Sequence, residues 1–245
     1  MLEHVADLFF PEKLNCLGCD AEYDPQMTES FFCNACLEQL KIDTTRCQKC
    51  DRPVEIIYDQ LDIYQYKCKT CQEQFHYYTR HISCAHYDTL AKKMILGLKY
   101  KGKTEYCKGI AELMIKRLIE EHILDKIEVV VPTPIHWTRK WARGFNQSEL
   151  IAKMIKTMLE RDIQMVQLKR HKRTKKLKQL DKEARKLMLK DAIIIKQEER
   201  HKIENKVVLV IDDIYTTGTT VNTCSKVLYE AGAEAIYCIT FAMGQ

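Results

Sequence analysis

The stretch Val207-Val-Leu-Val-Ile-Asp-Asp-Ile-Tyr-Thr-Thr-Gly-Thr-Thr220 decides the fold of this chain of 245 residues. Its β-branched apolar run predicts a buried parallel strand, and two adjacent carboxylates stand where that strand should end. A turn rich in Thr and Gly follows, after which Val221 to Ala231 predicts a helix closed by Gly232. A strand, a tight turn and a helix in this order are typical of the α/β class.

The side chains of this stretch predict a ligand with two parts. Backbone N–H groups and Thr hydroxyls at the start of a helix form a site for an anion. The two carboxylates can accept hydrogen bonds from vicinal hydroxyls, so the two features together predict a ribose 5-phosphate. An ordinary strand end before a capped helix is the alternative, but it requires neither both Asp residues nor all the Thr and Gly. The residues predicted to bind the ligand are Asp212, Asp213, Thr216, Thr217, Gly218, Thr219 and Thr220.

Helices and strands alternate from residue 88 onward. The predicted helices are Asp88–Tyr100, Glu105–Glu121 and Gln147–Glu160, and the further predicted strands are Ile127–Val131, Ile163–Leu168, Asp191–Lys196 and Ala235–Ala242. Asp88 is the expected N-cap of the first helix, and Asn146 with Glu149 has the spacing of a capping box. The alternation predicts an α/β fold with a doubly wound, mostly parallel sheet. Ligands of such sheets bind at the carboxyl ends of the strands, where an extended loop Pro132-Thr-Pro-Ile-His136 is also expected.

Cysteine is abundant, and eight of the twelve Cys residues form Cys-x-x-Cys pairs. The paired residues are Cys16/Cys19, Cys33/Cys36, Cys47/Cys50 and Cys68/Cys71. This spacing lets two thiolates face one ion and predicts two structural zinc sites without an open coordination position. Disulfides are the competing interpretation, but the first residues show no secretion signal. Sequential pairing and an interleaved cross-brace both fit the spacing. The four single Cys residues are expected to be buried small hydrophobes.

The zinc module is expected to occupy residues 1–75, with the α/β domain at 76–245 and an aromatic connecting stretch at Gln72–Ser83. A segment as short as the module has too little apolar surface to fold alone, so the metal would supply the missing free energy. No run of the sequence approaches the length of a membrane span.

The segment Lys169–Lys190 carries eleven Lys and Arg against two acids, a net charge of +9 in a chain of +5. Such a local concentration of charge repels itself and predicts contact with a polyanion, either pyrophosphate or nucleic acid. A solvated basic loop is the alternative interpretation. The cations assigned to DNA are Lys172, Arg173, Lys175 and Lys176.

Several motifs in a fixed order identify the family that the chain resembles. After the cysteine pairs come Ala85-His-Tyr-Asp-Thr-Leu, Leu98-Lys-Tyr-Lys-Gly102, Val131-Pro-Thr-Pro-Ile-His136, Arg143-Gly-Phe-Asn-Gln147 and the acidic signature. The signature itself resembles the phosphoribosyl pyrophosphate (PRPP) motif of type I phosphoribosyltransferases. The whole series resembles the ComF family, late-competence proteins with an N-terminal zinc finger and a C-terminal phosphoribosyltransferase domain. Arg143 to Gln147 is the most specific part, since it is uncommon in other phosphoribosyltransferases.

The resemblance implies a cytoplasmic DNA-uptake factor of natural transformation. Such a protein handles incoming single-stranded DNA beside the ATP-driven competence translocase, and it binds PRPP or a related ligand with Mg²⁺. Carried over, Asp212 and Asp213 would hold the ribose hydroxyls and Thr216–Thr220 the 5-phosphate. The pyrophosphate loop would be formed by Thr133, Pro134, Ile135 and His136, and residues 169–190 would be the flexible loop.

The flexible loop departs from the family pattern at two positions. Leu177 and Met188 stand where the family has Gln and Asn, which favours binding without turnover. They also belong to an apolar stripe at helical spacing, which suggests docking on a partner or at the inner face of the membrane. The alternative function is an active phosphoribosyltransferase of nucleotide metabolism, but no stretch resembles a nucleobase pocket. Six aromatic residues are available for stacking on bases, although core packing is the more ordinary role. They are Phe75, Tyr77, Tyr78, Tyr87, Trp137 and Trp141.

Overall fold

The computed structural model describes residues 14–24, 30–54, 66–170 and 193–244. Its strands are β1 (Leu14–Asn15), β2 (Glu22–Tyr23), β3 (Arg80–His86), β4 (Val129–Pro132), β5 (Gln164–Met165), β6 (Lys169–Arg170), β7 (Ile193–Ile194), β8 (Val207–Tyr215) and β9 (Ala235–Met243). Its α-helices are α1 (Asn34–Leu40), α2 (Lys69–Glu73), α3 (Thr89–Tyr100), α4 (Tyr106–Glu120), α5 (Trp137–Arg143), α6 (Gln147–Leu159) and α7 (Thr219–Tyr229). No helix among the described residues is both long and apolar enough to cross a membrane.

Five strands form one parallel sheet in the order β3-β9-β8-β4-β5. Alternate residues of β8 enter different cores, because successive side chains of a strand point to opposite faces. Leu209 and Ile211 pack with helices α3, α4 and α6, whereas Val208 and Val210 pack with α7. Helices therefore cover both faces, and the predicted doubly wound α/β fold is confirmed.

The two groups of paired cysteines lie against opposite faces of this sheet. Cys16 and Cys36 belong to the core on the α3 and α4 side, whereas Cys47 and Cys50 belong to the core on the α7 side. On the first side the contact is close, since a side chain at Gly109 of α4 would come within 2.5 Å of the Phe32 ring. The cysteine-rich part thus packs on the sheet domain from both sides, while the boundary at residue 75 stays a prediction.

The second cysteine group also covers the outer edge of β3. The backbone N–H of His81 donates to the Lys49 carbonyl at 2.9 Å, and that of Ser83 donates to the Asp51 carboxylate at 2.6 Å. Arg46 pairs with the same carboxylate and donates to the Ser83 carbonyl at 3.2 Å. These bonds satisfy edge groups that would otherwise be open to pairing with another strand.

The structure corrects several local predictions. The last residues of the expected connection Gln72–Ser83 belong to strand β3. The sequence does not look like a buried strand there, because His81 and Ser83 are polar. Both are nevertheless buried, since the cysteine-rich part satisfies their polar atoms. Strand β8 continues past the acidic pair to Tyr215. The strand expected at Asp191–Lys196 is seen at Ile193–Ile194, paired antiparallel with β6 outside the main sheet. Helix α5 is an addition to the predicted elements, because its Trp residues face solvent and give no apolar periodicity.

Candidate functional site

The carboxylate of Asp213 lies buried near the carboxyl end of β8, and two side chains hold it there. The Lys99 Nζ is 2.6 Å from Asp213 Oδ2, and the Gln147 Nε2 donates to the same oxygen at 3.0 Å. Only 3% of Asp213 is exposed. A buried charge is stable only when it is paired in this way, so Lys99 neutralises Asp213 while Gln147 orients it.

Asp212 is the more exposed carboxylate of the pair. Its Oδ1 accepts a hydrogen bond from the Ser148 hydroxyl at 3.0 Å and one from the Asp213 backbone N–H at 2.9 Å. Desolvation of its carboxyl and the negative charge of Asp213 raise the pKa of Asp212 from 3.8 to about 6, against the opposing effects of hydrogen bonding and Lys99. Asp212 therefore titrates close to neutral pH, which is typical of groups at functional sites.

The motif Arg143–Gln147 forms the connection that holds the acidic pair. Gly144 ends α5 with a φ of 85°, a left-handed conformation that favours glycine. The Asn146 side chain then caps α6 by accepting from the Ser148 N–H at 3.2 Å, and it donates to the Thr133 carbonyl at 2.9 Å. Arg143 donates to Gln147 Oε1. This short segment therefore positions Gln147, which bonds Asp213, and leads into Ser148, which bonds Asp212.

Two partners in this network are absent from the site predicted from sequence. Lys99 lies within the motif 98–102, but sequence separation from the acidic pair gives no sign of their contact. The second missed partner is Ser148, although it lies only two residues after the predicted capping residue Asn146. The expected capping box is incomplete, because Glu149 pairs with Lys140 at 3.2 Å and Lys153 at 2.9 Å.

The turn between β8 and α7 leads through Gly218 into the start of a helix. Gly218 has a φ of 73°, and a side chain there would meet the Tyr215 hydroxyl at 2.3 Å. Helix α7 begins at Thr219 without a side-chain cap, so no capping side chain occupies its first backbone N–H groups. Thr216, Thr217 and Thr219 in this turn are exposed. Thr217 Oγ1 and Thr219 Oγ1 are 2.9 Å apart.

Residues next to the second cysteine group contact this turn. Arg52 lies two residues after Cys50, and its Nη2 donates to the Thr216 carbonyl at 2.9 Å. The Tyr215 hydroxyl lies 3.0 Å from that of buried Tyr78, and the Tyr215 ring lies 4.2 Å from the His81 ring. The Cys50 carbonyl is in turn 2.9 Å from His81 Nδ1. A continuous chain of contacts therefore joins the second cysteine group to the turn.

The loop predicted to bind pyrophosphate is largely buried. Thr133 donates from Oγ1 to the Ser148 hydroxyl at 3.0 Å, and His136 caps α5 because its Nδ1 accepts from the Thr138 backbone N–H at 3.3 Å. Pro134 is buried as well, whereas Ile135 is partly exposed. The loop therefore places Ile135 between the two clefts described next, and its predicted ligand role stays a prediction.

Two basic clefts flank this loop and helix α5. One, of about 500 Å³, is lined by Lys99, Tyr100, Gly102, Ile135, Arg139, Ala142, Arg143, Phe145 and Gln147. The other, of about 480 Å³, is lined by Pro132, Pro134, Ile135, Trp137, Lys140, Asn146, Glu149, Gln167, Leu168, Lys169 and Arg170. The first has three cations and no carboxylate in its lining, and the second has three cations and one carboxylate. Both favour anionic ligands.

The paired cysteines form two separate four-sulfur clusters, so the sequential arrangement is the one present. They are Cys16, Cys19, Cys33 and Cys36, and Cys47, Cys50, Cys68 and Cys71. The sulfurs of Cys19 and Cys33 are 3.8 Å apart, and those of Cys50 and Cys68 are 3.6 Å apart. Tetrahedral zinc with Zn–S bonds of about 2.3 Å would place its sulfurs roughly 3.8 Å apart, so the clusters suit a metal ion such as zinc. The four single Cys residues are buried, as expected.

The predicted DNA cations Lys172, Arg173, Lys175 and Lys176 lie outside the described residues, as do Leu177 and Met188. The six aromatic candidates divide into exposed and packed residues. Phe75, Trp137 and Trp141 are exposed, whereas Tyr78 is buried and Tyr77 and Tyr87 are partly exposed. Core packing, the more ordinary expectation, is therefore wrong for Phe75, Trp137 and Trp141.

Comparison with proteins of known name supports the motif-based resemblance. The chain is 25% identical to competence protein F of Haemophilus influenzae over 90% of this chain and 93% of that protein. It is 24% identical to competence protein ComFC of Bacillus subtilis over 91% and 92% of the two chains. It is also 24% identical to the DNA utilization protein YhgH of Escherichia coli over 84% and 87%. The resemblance is thus confirmed over most of the chain, whereas no family model matches it.

Among solved structures, partial overlaps are found with phosphoribosyltransferases. A hypoxanthine phosphoribosyltransferase of Staphylococcus aureus overlaps 56% of this chain and 63% of its own, with 18% identity and a TM-score of 0.33. A purine phosphoribosyltransferase of Pyrococcus horikoshii overlaps 56% and 83%, with 15% identity and a TM-score of 0.35.

Proposed function

We propose that this protein is a DNA-uptake factor that binds single-stranded DNA and a PRPP-like ligand and acts with a competence translocase. The observation that carries the proposal is the similarity over most of the chain to competence and DNA-utilization proteins. The basic clefts around α5 and the net positive segment 169–190 support a polyanionic partner.

The second part of the proposal assigns the PRPP-like ligand to the end of β8. Asp212 is partly exposed and accepts hydrogen bonds, so it is the carboxylate that would take a ribose hydroxyl. The first turn of α7 has uncapped N–H groups and three exposed Thr hydroxyls for the 5-phosphate. Asp213 already bonds Lys99 and Gln147, so it would stabilise the site rather than contact the ligand. Mg²⁺ would arrive with the pyrophosphate, and zinc would occupy both cysteine clusters.

Single-stranded DNA is expected to bind with an affinity that falls steeply as salt rises, because binding to phosphates releases counterions. Replacing Lys172, Arg173, Lys175 and Lys176 together by Gln should lower the affinity and reduce the salt slope by roughly 0.7 for each phosphate that the variant no longer neutralises. Sequence preference should be slight. Fluorescence anisotropy with labelled oligonucleotides over a salt series measures both quantities.

The same variant separates this function from its rival. A metabolic phosphoribosyltransferase would lose turnover of a free base in the quadruple variant and would show no DNA phenotype. Release of pyrophosphate from PRPP, assayed with and without single-stranded DNA, measures the enzymatic alternative directly. If the wild-type protein binds no single-stranded DNA at physiological salt, alone or with the translocase, the DNA-uptake proposal fails.

The hydrogen bond between Arg52 and the turn gives a separate prediction. Arg52→Gln removes the cation that fixes the Thr216 carbonyl, so ribose 5-phosphate should bind about tenfold more weakly, a loss of ~1.4 kcal/mol in binding free energy. Calorimetry measures the affinity. Arg161→Gln is the matched control, because the Arg161 guanidinium donates to Leu124 and Asp125 rather than to the turn. Equal affinity in all three proteins would remove Arg52 from the site.

A further inference from the structure

We propose that helix α5, together with Tyr100, is the surface on which unpaired bases of single-stranded DNA stack. This inference rests on the proposed function and names the part of the protein that would perform it. It places the DNA surface in the region between the two basic clefts.

Exposure of the aromatic rings is the first observation. Trp137 is 67% exposed, Trp141 is 87% exposed and Tyr100 is 74% exposed. Trp137 and Trp141 are four residues apart in α5, which places them on one side of the helix. Large aromatic side chains are ordinarily among the most buried on average, so three exposed rings in one region indicate a binding surface.

Positive charge beside these rings is the second observation. Arg139 and Arg143 line the cleft on one side of α5, beside Lys99, whose charge is paired with Asp213. Lys169 and Arg170 line the cleft on the other side, beside Lys140, which pairs with Glu149. Glu149, the carboxylate of the second cleft, is already paired with Lys140 and Lys153. Cations on both sides of exposed rings match single-stranded DNA, whose backbone phosphates would lie in the clefts while its bases stack on the rings.

Tyr100 and Arg143 extend the aromatic surface on the side of the first cleft. The Arg143 guanidinium lies 5.5 Å from the centre of the Tyr100 ring, in a cation–π contact. Arg143 also donates to Gln147, which holds Asp213. The proposed DNA surface thus adjoins the acidic site through one side chain, Arg143.

Single-stranded DNA fits this surface better than duplex DNA or a lipid bilayer. Flat rings stack on bases only when those bases are unpaired. A membrane helix of the interfacial kind needs a broad apolar face, but only Trp137, Trp141 and Ala142 are apolar among the seven residues of α5. The second cleft also includes Lys169 and Arg170, after which the sequence continues into the strongly basic segment.

The chain contains two Trp residues, and both lie in α5, so tryptophan emission reports on this surface alone. Adding a short oligothymidylate should quench the emission roughly twofold, because the indoles stack on bases. Trp137→Ala with Trp141→Ala should weaken oligothymidylate binding, followed by anisotropy, about tenfold or more. Tyr229→Ala is the matched control, since Tyr229 is 58% exposed and its ring contacts Tyr77. That variant should bind as the wild type does.

The outcomes separate this inference from the proposed function. If the oligonucleotide binds but emission is unchanged and the double variant binds equally well, the α5 surface is wrong and the DNA-uptake function survives. If no oligonucleotide binds, the function fails, and this inference fails with it. If anionic phosphatidylglycerol vesicles shift the emission to shorter wavelength while DNA leaves it unchanged, α5 is a membrane surface and the inference is overturned.

Discussion

Cys50→Ser is expected to remove one of two bound zinc ions and to destabilise the whole protein. Cys50 belongs to a cluster whose members Cys47 and Cys50 are buried in the core on the α7 side. Losing a metal ligand there also loosens the residues that hydrogen-bond the outer edge of β3. The free energy of unfolding should therefore fall by about 4–5 kcal/mol or more. Elemental analysis gives the zinc count, and thermal unfolding gives the stability.

Cys107→Ser is the matched control for that variant. Cys107 is buried like Cys50, but it belongs to neither four-sulfur cluster. The control should keep two zinc ions per chain and lose only the smaller free energy of one buried thiol. A zinc count of zero in wild-type protein purified without chelator would contradict the metal assignment, and a count of one would leave one cluster without its ion.

Asp212→Asn is expected to stabilise the protein at neutral pH although it removes the ligand-binding carboxylate. Folding raises the pKa of Asp212 from 3.8 to about 6, chiefly by desolvation, so the folded state favours the protonated form. The wild-type protein therefore loses stability from this group as pH rises through that window, and it does not regain it above pH 6. Asn retains an oxygen for Ser148 and carries no charge.

The expected gain is about 1–2 kcal/mol above pH 6, after allowance for the partial exposure of the residue, or about 2–6 °C in Tm. The gain should shrink toward zero as the pH is lowered below 4. Thermal unfolding of both proteins across this pH range measures it. Asp125→Asn is the control, because Asp125 is an exposed surface carboxylate near Arg161. A lower Tm for Asp212→Asn at pH 8 would contradict the assigned pKa.

Local chemistry explains which elements the sequence predicts well. Helix α3 is predicted nearly to the residue, because Asp88 caps it and Leu90, Met94 and Leu98 repeat on its buried face. The strand, turn and helix of residues 207–229 are recognisable for the same reason, because the apolar run predicts the strand and the glycine predicts the turn without any distant contact. The cysteine spacing likewise predicts two clusters, although it leaves their pairing open.

Long-range contacts explain what sequence reasoning misses. Strand β3 has buried His81 and Ser83, and their partners lie in the cysteine-rich part about thirty residues earlier. The contact of Lys99 with Asp213 depends on α3 and β8 meeting in the folded sheet. Helix α5 has its Trp residues in solvent, so a pattern search built on burial overlooks it. Lys99 and helix α5 lie at the proposed sites, where local rules commonly fail.

The central claim is that the end of β8 binds a phosphoribosyl ligand, and calorimetric titration with PRPP and Mg²⁺ tests it most directly. The wild-type protein should bind PRPP at one saturable site per chain. Asp212→Asn should bind it roughly 10–100-fold more weakly, since hydrogen bonds to a charged group contribute about 1.5–3 kcal/mol. The Asp125→Asn control should match the wild type. Equal binding by wild type and Asp212→Asn, or no binding by the wild type, would contradict the claim.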